Sequence, residues 1–486
     1  MSEFIPSARQ EAIFKEIQHG TGHIVAEAVA GSGKTTTMEK ALNYVPMGKT
    51  VCYIAYNKHI VETMRQRVPK NVRVVTCHSM GLSAISNSFL VRQGQRPVVD
   101  GNKLHLILNS LLQTKYVSLN QSQTNDLRPL IKKLIPLYKA TLLEVSKENT
   151  EFLMDRYNLE DASELGINFI TTIIADTLMQ CKIQVQTIDF DDMIWYPIIY
   201  NLRLQQYDII FADELQDMNK SQIELALKAV SQNGRFVGVG DRFQSIYGFR
   251  GADTEAIPNI IERLKAKVLP LDITYRCPIS HVKKAQEFVP NIQAASWAKE
   301  GEIKEIASEK LIDAVKPDDM IICRYNAPLI PSAFKLIRAG IKATIRGKDI
   351  GEGLLSLIKK LKPESKEDFL QKLKSWKQKE SQYAEEQGKN IESIHDKYEC
   401  LLALSDGCDT VDCIKNRIFT IFNDENAAVI LSSIHRAKGL EANRVFILNP
   451  ELMPSSYATT PIEIQQERNC QYVAYTRAKE SLFLVR

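Results

Sequence analysis

The stretch AVAGSGKTTT at 28–37 decides the reading of this chain. It follows an apolar run, HIVAEAV at 23–29, and opens a helical segment at 36–42. Small residues let the backbone bend tightly between strand and helix. Successive N–H groups then turn toward one point, where the helix N-terminus also favours an anion. Ala30, Gly31, Ser32, Gly33, Lys34, Thr35 and Thr36 are the expected phosphate cradle. Lys34 would reach the β- and γ-phosphates, and the Thr35 hydroxyl would ligate Mg²⁺. The strict pattern has Gly at position 28, where this chain has Ala28.

Working outward, FADELQD at 211–217 ends an apolar run in two carboxylates. Asp213 is placed to hold the Mg²⁺, and Glu214 to orient and deprotonate the attacking water. Transfer of the phosphoryl group also calls for cations that stabilise charge spreading over the γ-oxygens. Arg276 in TYRCP (274–278) and Arg477 in YVAYTRAKE (472–480) are the candidates. GDRFQSIYGFRGA at 240–252 and SIHRAKGLE at 433–441 complete the series. They put basic and aromatic residues at strand ends, where these can sense the γ-phosphate and touch a polynucleotide. The ordered set, rather than any one piece, predicts a motor that translocates on DNA.

Parallel strands buried on both faces read as continuous apolar runs, with ligands met at their carboxyl ends. Runs at 23–29, 50–56, 72–78, 207–214 and 235–241 predict one doubly wound α/β domain. Runs at 268–276, 320–325, 341–346, 428–435, 444–449 and 481–485 predict a second sheet. Two stretches without strand signals, near 82–184 and 351–423, carry helical periodicity instead. The expected division is residues 1–81 with 185–265, a helical insertion at 82–184, residues 266–350 with 424–486, and a short helical insertion at 351–423. In the second insertion lysines and glutamates are intermixed, which describes a solvated helix face.

At 486 residues the chain suits two to four domains. A net charge of +4 is mild, so composition alone does not propose DNA. No apolar run has the length of a membrane span, and the N-terminus lacks a signal peptide's basic start and apolar core. A cytoplasmic location, or a nuclear one in a eukaryote, is the expectation. Nine scattered cysteines fit reduced thiols. The spacing of His395, Cys400, Cys408 and Cys413 matches no familiar zinc or iron–sulfur pattern.

These motifs resemble superfamily 1A DNA helicases, the UvrD/Rep/PcrA group. YNKHIVETMRQRVPKNVRVVTCHSM (56–80) and SIHRAKGLE are similar to the helicase portion of the F-box DNA helicases. The resemblance implies two RecA-like domains, ATP with Mg²⁺ between them, and 3′→5′ movement on single-stranded DNA that unwinds duplex. It implies that Gln10 reads the adenine edge, Tyr275 stacks on the base and Glu441 approaches the ribose. Gln244 and Arg250 would couple the γ-phosphate to DNA, and Arg276 and Arg477 would be the γ-phosphate fingers. DNA contacts would come from Tyr56, Asn57, Lys58, Thr76, His78, Ser79, Tyr247, Phe249, Arg250 and His435. Base stacking tolerates any sequence because every base has a π-face.

Departures from the family pattern are Phe249 in place of Trp, Asn469 and Cys470 in place of Arg and Leu, Ser433 for Thr and Leu215 for Ala. The expected partners are single-stranded DNA, its junctions with duplex, and a protein that loads the motor. Two other readings compete. One is a translocase that strips bound proteins with little unwinding, and the other a nucleotide-controlled DNA clamp. Joint retention of Lys34, Asp213, Glu214, Gln244, Arg276 and Arg477 opposes the clamp. A small-molecule kinase would have no need of a second sheet carrying HRAKGLE and YTRA.

Overall fold

The computed structural model describes residues 4–88, 96–157, 159, 161, 163–246, 255–386, 391–423 and 427–486. It divides into two compact units, Met1–Ala28 with Gly33–Leu271 and Val29–Ser32 with Asp272–Arg486.

The first unit contains β1 (Ile24–Ala28), β2 (Val51–Ile54), β3 (Val72–Val75), β4 (Val98–Val99), β5 (Thr187–Ile188), β6 (Tyr207–Ala212), β7 (Val230–Gly240) and β8 (Lys267–Leu271). Six of these form one sheet in the order β3-β2-β6-β7-β1-β8, all pairs parallel. Alternation along the strands sends side chains to two cores. Ile24, Ala26, Ile209 and Phe211 pack with Ile13, Phe14 and Met38 on one face. Val25, Ile210 and Ala212 pack with Ile194, Ala226 and Ile257 on the other. Both faces are therefore covered by helices, as parallel sheets require.

The run expected to open the second sheet, VLPLDITYR, divides at Asp272. Its first half is β8, which pairs with β1 at the end of the first sheet. Pro270 is tolerated there because an end strand needs no donor on its outer side.

Between β3 and β6 lie the helices Lys103–Thr114, Gln121–Thr141, Lys147–Arg156 and Ile167–Ile183, with their own apolar core. At the root of this helical layer sits a buried ionic cluster. Asp192 receives Lys103 Nζ at 2.6 Å and Lys139 Nζ at 2.8 Å, and Lys139 also reaches Asp189 at 2.7 Å. Lys103, Lys139 and Asp192 are each at most 1% exposed. Buried charges are retained only when paired in this way.

The second unit contains β9 (Ile273–Thr274), β10 (Gln293–Ala294), β11 (Glu302–Ile306), β12 (Met320–Cys323), β13 (Ala343–Ile345), β14 (Val429–Ser433), β15 (Ala442–Leu448) and β16 (Ala478–Val485). Its sheet runs β11-β16-β15-β12-β14-β13, again parallel throughout. β11 is an edge strand that the apolar runs did not announce, because three of the five residues in its EIKEI sequence are charged. β9 and β10 make a separate two-stranded ladder. The helices Lys348–Leu361, Lys366–Glu386, Glu392–Ser405 and Val411–Asn423 fill the gap between β13 and β14. Their apolar faces join the main core through residues such as Leu354, Phe369, Leu401 and Ile418.

Both units are RecA-like α/β layers. Among the cysteines, Cys408 and Cys413 form a disulfide, which corrects the expectation of reduced thiols throughout. The other seven are free and buried.

Candidate nucleotide and nucleic-acid site

Parallel register brings the carboxyl ends of the first unit's strands to one edge of its sheet. Across that edge come Thr76 after β3, Tyr56 after β2, Asp213 after β6, Asp241 after β7 and the glycine loop after β1. The loop turns through Gly31 at φ 71° and Gly33 at φ 74°, left-handed conformations that glycine adopts without strain. Gly33 precedes the helix Lys34–Ala41, whose first-turn N–H groups have no side-chain cap.

Lys34 Nζ stands 4.0 Å from Glu214 Oε2. Thr35 Oγ1 donates to Asp213 Oδ2 at 3.0 Å, and the Tyr53 hydroxyl donates to the same oxygen at 2.9 Å. Burial, and after it the Glu214 charge, push the Asp213 carboxyl up to about 6. A carboxylate held at such a cost suits a cation ligand. Glu214 has φ 54°, a left-handed conformation costly for a residue with a Cβ. That turn aims its carboxylate back toward Lys34.

From Glu214 a hydrogen-bonded chain crosses to β7. Gln216 Nε2 donates to Glu214 Oε2, Asp241 N donates to Gln216 Oε1 at 2.9 Å, and Gln244 Nε2 donates to Asp241 Oδ2 at 2.7 Å. Gln244 is thereby tied to the acidic pair. Sequence reading had singled out neither Gln216, Asp241 nor Tyr53. Position was their signal: Gln216 two residues past the acidic pair, Asp241 directly after β7.

Gln10 is buried, and its Nε2 donates to Thr37 Oγ1 at 2.9 Å, on the first turn after the loop. Its Oε1 accepts from Ser7 N in a capping box that starts the helix Ala8–His19. Thr36 is the third residue of the helix that the loop opens.

Ser32 Oγ is buried without a hydrogen-bond partner among the described residues. An orphaned hydroxyl within a glycine loop fits an absent anionic ligand. Thr35 and Asp213 offer hard oxygens suited to Mg²⁺. The residues present thus fit a triphosphate with its metal.

Val29–Ser32 group with the second unit, and their contacts there are specific. Ala30 N–H donates to the Tyr472 hydroxyl at 2.7 Å, so this amide is already engaged. Tyr275 N–H donates to Gly31 O at 2.8 Å. A Cβ at Gly31 would come within 2.6 Å of Arg276 Cβ, so only glycine fits. The Tyr275 ring stacks on Trp297 at 6.3 Å between centroids.

Arg276 Nε donates to Glu441 Oε2 at 2.6 Å, and Lys479 Nζ lies 2.6 Å from Glu441 Oε1. Glu441, expected at the ribose, is here the counter-ion of two cations. Arg477 is 1% exposed and is held by backbone oxygens of Val473 at 2.9 Å and Leu440 at 3.1 Å.

Of the expected DNA contacts, Tyr56, Asn57 and Lys58 are exposed. Asn57 Oδ1 accepts from Ile60 N and caps the helix Lys58–Arg65. Thr76 and Ser79 cap the helix Cys77–Ser86 reciprocally. His78 stands edge-on to Phe190 at 6.3 Å. β2 and β3 are neighbours, so these two groups share one end of the edge. His435, in the second unit, is the second residue of the short helix Ile434–Ala437, with Nε2 3.5 Å from Cys470 Sγ. Tyr247, Phe249 and Arg250 lie outside the described residues.

The arrangement is that of a RecA-like α/β protein with an acidic pair beside its glycine loop. Residues 9–265 match the UvrD/REP helicase N-terminal domain, and residues 428–485 match the UvrD-like helicase C-terminal domain. The chain belongs to the UvrD/REP helicase family. F-box DNA helicase protein 1 of Schizosaccharomyces pombe is 26% identical, over 98% of this chain and 57% of that protein. F-box DNA helicase 1 of Gallus gallus is also 26% identical, over 94% and 46% respectively. ATP-dependent DNA helicase Rep of Escherichia coli is 24% identical over 57% of this chain and 42% of its own. The chain spans about half the length of the F-box relatives it matches. No helix among the described residues is long and apolar enough to cross a membrane.

Proposed function

We propose that the chain hydrolyses ATP and uses the cycle to move 3′→5′ along single-stranded DNA, separating duplex as it goes. The observation that carries this reading is the 3.0 Å contact of Thr35 with Asp213, beside Lys34 and Glu214, at an edge that also carries Tyr56 and Thr76. Nucleotide chemistry and strand contacts then share one sheet, so a change at the acidic pair is felt at neighbouring strand ends.

Lys34 binds the β- and γ-phosphates, and Gln10 selects adenine. Thr35 and Asp213 would hold Mg²⁺, which when bound neutralises phosphate charge. Glu214 positions the attacking water and accepts its proton. Gln244 reports the state of the acidic pair through Asp241 and Gln216. Tyr275 stacks on the base, and Glu441 orients Arg276. Arg276 and Arg477 stabilise charge on the terminal phosphate. Tyr56, Asn57, Lys58, Thr76, His78, Ser79 and His435 contact the strand.

ATP turnover measured with and without single-stranded DNA, followed by unwinding of 3′- and 5′-tailed duplexes, tests the reading. DNA-stimulated turnover with unwinding of the 3′-tailed substrate alone is expected. Stimulation without strand separation would favour a translocase, and turnover indifferent to DNA would remove the motor.

A further inference from the structure

β3 ends the first sheet, and its outer side is flanked by two hollows. The larger, about 460 Å³, is lined by Arg65, Lys70, Arg73 and Ser79 among others. The smaller, about 150 Å³, is lined by Arg73, Arg203, Asn87 and Gln205 among others. Arg73 and Val75 line both, so the two form one groove around the strand. No carboxylate lines either hollow.

Arg65, Lys70, Arg73 and Arg203 are all exposed, and among the described residues none forms an ion pair. Some exposed cations of the same unit are matched, as in Lys49 with Asp208, Arg67 with Glu39 and Arg263 with Glu224, and others such as Lys15 and Lys132 are not; what sets this strand apart is that four unmatched cations gather around it. In a chain of net charge only +4, four unmatched cations around one strand make a local positive field. Two of them are fixed in place: Arg65 Nη2 donates to Val74 O at 3.1 Å, and Arg73 Nη1 donates to Gln205 Oε1. The groove also runs directly into Ser79, one of the residues proposed to meet DNA.

We propose that this groove binds the phosphate backbone of a nucleic-acid strand beyond the part held at the carboxyl ends of the sheet. The inference rests on the proposed DNA reading and deepens it, by giving the strand a sequence-independent electrostatic track. Backbone contacts of this kind position a strand without reading its bases.

The test is equilibrium binding of oligo-dT, from about 6 to about 20 nucleotides, across a salt series. The variants are the triple Lys70→Gln/Arg73→Gln/Arg203→Gln and the double Lys70→Gln/Arg203→Gln. The double leaves the Arg65 and Arg73 hydrogen bonds intact and guards against misfolding. Each lost phosphate contact on a single strand lowers the log–log salt slope by about 0.7, so reductions of about 2 and about 1.4 are expected. Long oligonucleotides should lose about tenfold in affinity at low salt, while the shortest are retained. An unchanged slope in the double variant overturns the inference. So does displacement of long oligonucleotides by polyglutamate as effectively as by polyphosphate, which would point to an acidic protein. Failure of the unaltered chain to bind any oligonucleotide removes the DNA reading as well. Binding confined to length-independent contacts removes only the groove.

Discussion

Glu441 Oε2 lies 2.6 Å from both Nε and Nη2 of Arg276, so one carboxylate oxygen fixes the plane of that guanidinium. Burial works against the charged carboxylate, yet Lys479 and Arg276 together hold it below its ordinary range. An arginine oriented in advance loses less freedom when it meets developing negative charge. Glu441→Gln should therefore lower ATP turnover about tenfold or less. Arg276→Ala should lower it at least about 100-fold. Steady-state kcat separates the two; equal losses would mean that the guanidinium matters only through its pair.

In the proposed reaction Lys34 and Glu214 would divide the work of binding and chemistry. Lys34→Ala should abolish turnover and weaken triphosphate binding. Glu214→Gln should keep binding but lose about 10²–10⁴ in kcat, the usual contribution of a general base. Fluorescent-nucleotide titration beside single-turnover hydrolysis checks both. Undiminished hydrolysis by Glu214→Gln would transfer the base role elsewhere.

Tyr56 is 44% exposed two residues past the end of β2, on the sheet edge that also carries Thr76. Tyr56→Ala should weaken single-stranded DNA binding about five- to 150-fold, the equivalent of one lost stacking contact. Fluorescence anisotropy with labelled oligo-dT reads this directly. Wild-type affinity would take Tyr56 out of the strand path.

Asp192 neutralises two buried ammonium groups at once. Asp192→Ala leaves both in a water-poor interior and should cost about 3–5 kcal/mol in urea unfolding. Replacing Lys103, Lys139 and Asp192 together by apolar residues of similar size should cost much less. If the single change is silent, the cluster is better hydrated than its burial states.

His281 is fully buried, with Nε2 3.0 Å from Glu302 O. Burial lowers its pKa below the ordinary 6.5, against a weaker opposing pull from backbone carbonyls. The folded state then binds fewer protons than the unfolded chain. Stability from this group is complete above about pH 6.5 and declines as pH falls from there toward the folded value. His281→Gln should flatten that decline in urea midpoints measured from pH 7.5 to 5. An unchanged slope would assign the decline to other histidines.

The first sheet was legible because its strands are continuous apolar runs that end in polar signals. VLPLDITYR misled for a physical reason: Asp272 divides one run into an end strand of the first sheet and a two-residue strand of the second unit. β11 escaped notice because an edge strand with alternating charge leaves no apolar run. Loop and acid residues could be placed from spacing alone. Tyr53, Gln216 and Asp241 could not, since ordinary strand and turn positions acquire their roles only through partners distant in sequence. The Lys103–Asp192–Lys139 cluster was hidden likewise, its members 36 to 89 positions apart. The Cys408–Cys413 bridge depends on a turn between helices that composition does not specify.

Thr76 and Ser79 hold each other: Ser79 N donates to Thr76 Oγ1 at 3.2 Å, and Thr76 N donates to Ser79 Oγ at 3.0 Å. Those two hydroxyls are already employed in starting a helix. A strand that recruits either one must outcompete the chain's own amides, loosening the first turn as it arrives. Grip and local stiffness would therefore be rivals at this corner, and the motor proposed above, which would have to release its track at every step, would gain from such a lightly contested hold.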